Sequence, residues 1–341
     1  MRVLILGATG YIGSRLMSHL QADGRFDPIG AARRGRQGSL HLDTRDQHAL
    51  TQALSASDAV VNCVAGSARA IAEGAQVLAR AACAARVPAV VHLSSMAVFG
   101  DREVSVHEDS PLGDVPGWYA QAKQAAEAAM TALAHNVTGP GGGVRVTVLR
   151  PGCVWGPGST LWVDRIARWL VQGRLGDLGA AGDGWTHGVT VDDVCVAIVQ
   201  ALHRPAAPGA PRVLHLAAPD SPRWNDWFTD LALGLSATPV SRITPWQLRA
   251  DACVLGPPLE LARRLLAPTP WAHTLPPPIS PGLLRLWRSP LRMEATRAAQ
   301  ALGLNWTPYP TALRACLASI KADRAPAAGK DCETPASARA P

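Results

Sequence analysis

Only three tyrosines occur in the 341 residues, and one of them stands near the start of an alanine-rich helical stretch, GWYAQAKQAAEAAM (Gly117–Met130), four residues before a lysine. Residues four apart on a helix share a face, so Tyr119 and Lys123 project into the same space. A free phenol titrates near 10, so proton transfer near neutral pH needs that value lowered by roughly 3 units, about 4 kcal/mol. An ammonium on the same face stabilises phenolate by direct charge. Such chemistry also asks for a hydroxyl donor beside the substrate oxygen. Ser94 and Ser95, at the C-terminal end of the apolar run AVVHLSS (89–95), offer one. By itself the Tyr/Lys spacing equally describes a surface pair on an amphipathic helix. What gives it weight is the rest of the chain.

The second constellation is VLILGATGYIGSRLMSHL (3–20), a strand, then Gly7, Gly10 and Gly13, then a helix. In such a loop the first glycine makes the tight turn and the second lets backbone approach a pyrophosphate. The third lets helix and strand pack closely, with the phosphate at the helix N-terminus. The spacing is GxxGxxG rather than GxGxxG, and its position between first strand and first helix is what makes it specific. An NAD enzyme often places an acidic residue about 20 positions beyond the loop, to read the ribose 2′-hydroxyl. Here that region reads AARRGR (31–36), with Asp27 too early. Arg33 and Arg34 suit a 2′-phosphate instead, through charge-assisted bonds, which favours NADP over NAD; the bland reading is two solvated arginines. Asp43, closing SLHLD (39–43), can accept from an adenine amino group or cap a helix.

These residues need a scaffold, and the chain offers one. Short β-rich runs at 2–7, 28–32, 58–65, 89–95 and 144–151 alternate with helical patterns at 12–22, 47–56, 67–85 and 119–134. Strands separated by helices of this length indicate βαβ units and an α/β, doubly wound parallel sheet. GPGGG (139–143) reads as a turn before the fifth strand. Beyond residue 200 the texture changes to clustered prolines, recurring tryptophans and short helices, as expected of a smaller C-terminal lobe. The division expected is a dinucleotide-binding domain over 1–200, a substrate lobe over 201–321 and a disordered tail over 322–341.

Composition removes several classes. The net charge of +7 comes from scattered arginines, and clusters such as Arg33-Arg34-Arg36 and Arg263-Arg264 have no interleaved aromatics, so no nucleic-acid partner is expected. Seven cysteines without a CxxC pair argue for reduced thiols in a cytoplasm, and against a disulfide framework or a metal site. A first strand starting at residue 2 leaves no room for a signal peptide. No apolar run reaches the ~18 residues a spanning helix needs, so membrane insertion is not expected, although LELARRLLAP can be drawn as touching a membrane surface. The glycosylation-type triplets at Asn136 and Asn305 are then chance.

Taken together, GATGYIG (7–13), DAVVNCVAG (58–66), LSSMAVFG (93–100), YAQAK (119–123), LRPGCVWGPG (149–158) and GDGWTHGVTVDDV (182–194) resemble the extended short-chain dehydrogenase/reductase superfamily, the NAD-dependent epimerase/dehydratase family. The resemblance runs over about 2–320 and implies a Rossmann-type fold. It makes Tyr119 the catalytic acid/base, Lys123 the residue that lowers its pKa and bonds the nicotinamide ribose, and Ser95 the polariser of the substrate oxygen. Thr9, Tyr11, Ile12 and Ala65 join the three glycines, Arg33, Arg34 and Asp43 at the cofactor. A homodimer through sheet-flanking helices is common in that family.

Departures from the family pattern narrow the activity. The sugar 4,6-dehydratases follow the catalytic hydroxyl with Asp-Glu; Met96 and Ala97 stand there and cannot exchange a proton, so elimination of water is not expected. Where nucleotide-sugar members carry an Asn and an Arg for the diphosphate, this chain has Cys153 and Thr186. His187 can substitute as a donor, but a lone loop histidine is more often structural. Asp192 and Asp193 read as caps of the helix DVCVAIVQAL. Trp224, Trp227, Trp246, Trp271, Trp287 and Trp306 suit an apolar or partly apolar substrate, or simply a core. The expectation is an NAD(P)-dependent oxidoreductase acting on a secondary alcohol or ketone. The alternatives are a nucleotide-sugar epimerase with the same hydride step and no net redox, and a non-catalytic NAD(P)-binding sensor or scaffold.

Overall fold

The computed structural model describes residues 1–33, 38–102, 104–115, 117–136, 143–266, 275 and 277–324. In chain order the strands are β1 (Arg2–Leu6), β2 (Asp27–Ala32), β3 (Leu40–His41), β4 (Ala59–Asn62), β5 (Ala89–Leu93), β6 (Ser105–Val106), β7 (Arg145–Pro151), β8 (Cys153–Trp155), β9 (Gly188–Thr190), β10 (Arg212–Leu216) and β11 (Arg292–Met293). The helices are α1 (Tyr11–Asp23), α2 (Gln47–Ser55), α3 (Ala68–Ala85), α4 (Trp118–His135), α5 (Arg165–Val171), α6 (Val191–His203), α7 (Trp224–Gly234), α8 (Pro245–Ala250), α9 (Gly256–Leu265), α10 (Pro281–Arg288), α11 (Thr296–Leu302) and α12 (Tyr309–Arg324).

Seven strands form one sheet in the order β10–β7–β5–β4–β1–β2–β3, every pairing parallel. Side chains alternate across it with the period of two that a strand imposes. Val3 and Ile5 enter a cluster with Leu16 and Leu20 of α1, Val194 and Ile198 of α6 and Leu302 of α11. Leu4 and Leu6 enter another with Leu50 of α2, Leu78 of α3 and Met130 of α4. Both faces are thus covered, and strand order reverses between β1 and β4, the point where ligands of such sheets bind at the strands' C-terminal ends.

The expected strands and helices appear within a residue or two, with one informative difference. The run expected over 58–65 stops at Asn62. Its side-chain oxygen accepts the Val64 N–H at 3.1 Å and its nitrogen lies 3.1 Å from His92 Nδ1, which turns the chain out of the sheet. The exit is needed because the Cys63 backbone crosses so close to Gly7 that a Cβ there would stand 3.1 Å from the Cys63 carbonyl carbon. The turn expected at 139–143 lies outside the described residues except for Gly143.

The second core is dominated by tryptophan. Trp155, Trp169, Trp224, Trp227 and Trp287 are buried with Phe228 and Leu231, and Trp155 stacks on Trp227 at 4.5 Å between ring centroids. The chain crosses the boundary expected near residue 200 in both directions. β10 lies beyond it yet joins the main sheet through β7, while β8 and α5 lie before it yet supply the second core. An outer sheet position needs only a strand of the right pattern, wherever in the chain it comes. α12 runs on to Arg324, and the remaining tail lies outside the described residues. Of the other tryptophans, Trp246 is exposed and Trp306 packs on the first cluster; Trp271 lies outside the described residues.

Candidate active site

A crevice of about 1220 Å³ opens over the C-terminal ends of β1, β4 and β5, and it gathers most of the residues singled out above. At its floor is the glycine turn. Gly7 has φ +80°, a left-handed conformation open to glycine at little cost. Its N–H and that of Ala8 both donate to Ala31 O, binding the turn to β2. A Cβ on Gly13 would collide with the Gly7 carbonyl oxygen, so Gly13 fixes how closely α1 meets the strand and does not itself line the crevice. Gly10 caps α1 without a side-chain bond, and Thr9, Gly10, Tyr11 and Ile12 line the crevice beside it. The turn therefore offers a pyrophosphate a helix N-terminus and backbone without intervening side chains, as a dinucleotide requires.

Further along the same floor lie Ala65, Arg33 and Asp43. Arg33 is exposed at the end of β2, and Arg34 lies outside the described residues. Asp43 is held by Arg45, Nη2 to Oδ2 at 2.7 Å, and this guanidinium keeps its carboxyl at about 2. The capping alternative for Asp43 does not hold, because Asp46 caps α2 by accepting the Ala49 N–H.

The wall opposite is α4. Tyr119 and Lys123 do share a face, but the division of labour differs from the charge argument. Lys123 is buried, its Nζ donates to Leu93 O at 2.7 Å, and it lies 6.0 Å from the Tyr119 ring centroid. Burial lowers its pKa to about 8. The Tyr119 phenol is pushed up by burial, with the neighbouring Ser95 hydroxyl acting in the opposite direction. For Tyr119 burial outweighs the charge argument, while Lys123 keeps its ammonium hydrogen-bonded to the Leu93 carbonyl beside the ring. The protein alone thus presents Tyr119 as an acid that holds its proton.

Of the two serines, the structure separates the roles. Ser94 is buried and donates to Glu127 Oε1. Ser95 lines the crevice; its Oγ accepts the Ala97 N–H at 3.2 Å, and its own hydroxyl is hydrogen-bonded to the Tyr119 phenol, so the two hydroxyls face the crevice as a pair. Met96 and Ala97 line the crevice beside it, with no proton to exchange. The remaining tyrosines serve otherwise: Tyr309 donates to Asp230 at 2.7 Å, and Tyr11 belongs to the glycine turn.

A group that sequence reasoning missed stands behind this wall. Glu127 and Arg150 form a buried pair, Nη2 to Oε2 at 2.7 Å and Nε to Oε1 at 2.9 Å, and Arg150 Nη1 donates to Glu108 O. The pair joins α4, β7 and the Ser94 strand end in one network. The available signal was periodicity, since Tyr119, Lys123 and Glu127 recur every four residues on one helix face. His187 proves structural: buried, its Nε2 accepts the Met293 N–H at 3.0 Å, and burial holds it neutral, down to about 4. Thr186 is also buried and donates to Pro222 O, whereas Cys153 lines the crevice. The caps expected at Asp192 and Asp193 are corrected. Thr190 caps α6, while Asp193 accepts from Thr307 and Asp192 holds Arg15 and His19. The backbone places Thr190 at the extended position preceding the helix, which both aspartates have already passed.

A glycine cradle, a phenol, a strand-end hydroxyl and a buried lysine along one crevice define a dinucleotide-dependent enzyme of the short-chain type. The chain belongs to the NAD dependent epimerase/dehydratase family, whose model matches residues 3–217. Solved structures of similar fold include MoeE5 with UDP-glucuronic acid and NAD, at 20% identity over 95% of this chain and 100% of that one, TM-score 0.70. UDP-glucose 4-epimerase of Thermotoga maritima with UDP-glucose aligns at 17% identity over 95% and 99%, TM-score 0.69. DesIV of Streptomyces venezuelae, a dTDP-glucose 4,6-dehydratase with NAD, aligns at 20% over 95% and 98%, TM-score 0.70. Comparison with curated proteins gives no match. Among the described residues no helix is long and apolar enough to cross a membrane, and no cluster of metal-ligating side chains occurs.

Proposed function

We propose that the protein is an NADP-preferring oxidoreductase that interconverts a ketone and a secondary alcohol, with Tyr119 as the acid/base. The observation that carries this reading is the placement of the Tyr119 phenol and the Ser95 hydroxyl, hydrogen-bonded to each other, on one crevice wall above the glycine turn. When bound, the nicotinamide supplies the hydride acceptor or donor; the glycine turn, Ala65 and Lys123 are the residues that would hold the dinucleotide. Ser95 donates to the substrate oxygen and orients it. In reduction, the Tyr119 hydroxyl delivers its proton to that oxygen as negative charge gathers there; in oxidation it takes the proton back. Lys123, fixed on Leu93 O, sets a positive charge behind the phenol when that proton leaves. Exposed Arg33 at the end of β2 supports the 2′-phosphate preference.

The nucleotide-sugar epimerase reading shares the hydride step, and the structural likeness to the Thermotoga enzyme speaks for its scaffold. Cys153 at the crevice and a buried Thr186, where a diphosphate would need an amide and a guanidinium, weigh against that substrate. A panel of ketones mixed with protein and NADPH, followed by reduced-nicotinamide absorbance, tests the proposal. Net oxidation is expected, and Tyr119→Phe should lower kcat/KM by roughly 10³-fold with NADP affinity kept. Redox-neutral turnover of a nucleotide sugar overturns it, and cellular function left intact by Tyr119→Phe returns the scaffold reading.

A further inference from the structure

Past Tyr119 the crevice continues between α5 and α10, and two arginines line it there that form no ion pair among the described residues. Arg165, the first residue of α5, is half-buried. Its Nε donates to Leu161 O at 3.2 Å, and its guanidinium lies 5.0 Å from the Trp169 ring centroid and 5.8 Å from that of Trp162. Among the described residues it makes no ion pair. Two other arginines drawn into the fold do find carboxylates: Arg150 with Glu127, Arg174 with Asp251. Burial holds the Arg165 pKa down to about 10, so the group stays cationic at neutral pH. A partly desolvated cation without a carboxylate is costly, and two indole faces offset only part of that cost. Arg285, exposed on α10, lines the same crevice and is likewise unpaired among the described residues.

The surface around the two cations is apolar. Leu161 and Trp118 are each 56% exposed where they line the crevice, and Trp162, Leu286 and Leu291 extend the same lining. The acidic lining residues are Asp43, paired at the cofactor end, and Asp101, beyond the catalytic strand end. Apolar side chains left open together with a few convergent polar groups describe a ligand site.

We infer that this half of the crevice takes an amphipathic anion: an apolar body against Leu161, Trp162 and Leu286, and an oxyanion head group, carboxylate or phosphate, against Arg165 and Arg285. The inference rests on the proposed reduction at Tyr119, and it names the class of ketone reduced. A guanidinium offers either head group two parallel N–H donors.

Calorimetric titration of the protein–NADP complex tests this without turnover. The probes are a medium-chain 4-oxo fatty acid, its neutral amide, the corresponding keto-alkyl phosphate, and UDP. The acid or the phosphate is expected to bind at least tenfold more tightly than the amide, and whichever of the two wins names the head group. Arg165→Gln should abolish that preference while leaving amide binding unchanged, Arg165→Lys should retain part of it, and the exposed Arg285→Gln should weaken it several-fold. Equal binding of acid, phosphate and amide, a preference that survives Arg165→Gln, or no binding of any amphipathic probe overturns the inference. So does UDP binding more tightly than both amphipathic anions. Loss of turnover in Tyr119→Phe is read separately, so the catalytic proposal can fail while the anion preference stands, and the reverse.

Discussion

The two halves of the crevice are built in opposite ways. The cofactor half comes from the first 66 residues and works by leaving side chains out: Gly7 turns with positive φ, Gly10 exposes backbone, and Gly13 lets α1 touch the strand end. The substrate half is assembled from residues 118, 159–165 and 280–291, and it works by side chains, several of them apolar and open to the crevice. Backbone that must touch a pyrophosphate tolerates almost no added atom. A wall of exposed side chains tolerates many. The seam between the halves is α4 and the end of β5, and both halves depend on it being rigid.

The strongest way to break this picture is at the seam. Glu127→Ala leaves Arg150 buried without its carboxylate, and removing one partner of a buried pair costs about 3–5 kcal/mol. Because Glu127 also accepts from Ser94, NADP binding and anion binding should fail together, with urea unfolding shifted to match. If only one half fails, the seam is not shared. Next in size, Gly13→Ala forces a methyl into the Gly7 carbonyl, an overpacking of roughly 1–3 kcal/mol. NADP affinity should fall at least tenfold while the far half still binds its amphipathic probe. Unchanged NADP affinity would remove the contrast between the halves.

The same contrast decides what the sequence discloses. The glycine turn and YAQAK are local patterns, each fixed by one strand or one helix, and the structure places both at the crevice. The partition of Ser94 from Ser95 needed Glu127, and Glu127 needed Arg150, which lies 23 residues away on strand β7. Within an alanine-rich helix a glutamate reads as solvated surface, because burial of a charge is decided by a partner that the local sequence does not contain. Arg165 gave no signal for the same reason: with Asp164 beside it in the chain, an arginine becomes informative only once the fold shows that it forms no ion pair among the described residues. The interleaving of β8, α5 and β10 between sheet and lobe was hidden similarly, since a three-residue strand has too few positions to show a period.

Lys123 sharpens the seam through pH. Burial places its pKa at about 8 against an ordinary 10.5, so above about 8 the charge behind the phenol is lost. The value of kcat/KM reports groups of the free enzyme, and it should fall as pH rises through about 8, while Lys123→Met stays low and flat there. The sign for stability is opposite. With the folded pKa below the unfolded one, burying the cation costs stability at every pH below about 8, a cost relieved as pH climbs towards 10.5. Lys123→Met should therefore unfold no earlier than the parent near neutral pH, even as activity drops. Early unfolding would mean that Lys123 holds Leu93 for the fold's sake and not for the reaction.

The smallest effect belongs to the tolerant half. Leu161 is 56% exposed at the crevice, so Leu161→Ala removes little that folding had buried, and the denaturation midpoint should not move. Bound to an apolar ketone, the same side chain does lose water, and truncating it forfeits about 1 kcal/mol of contact. KM for apolar ketones should then rise several-fold, with kcat and NADP affinity unchanged and with less effect on shorter-chain substrates. A residue that matters only when ligand is present is what a side-chain wall predicts and a glycine turn forbids. Should Leu161→Ala instead lower the midpoint and leave KM alone, the residue belongs to the tryptophan core beneath it, and the apolar lining must be sought on α10.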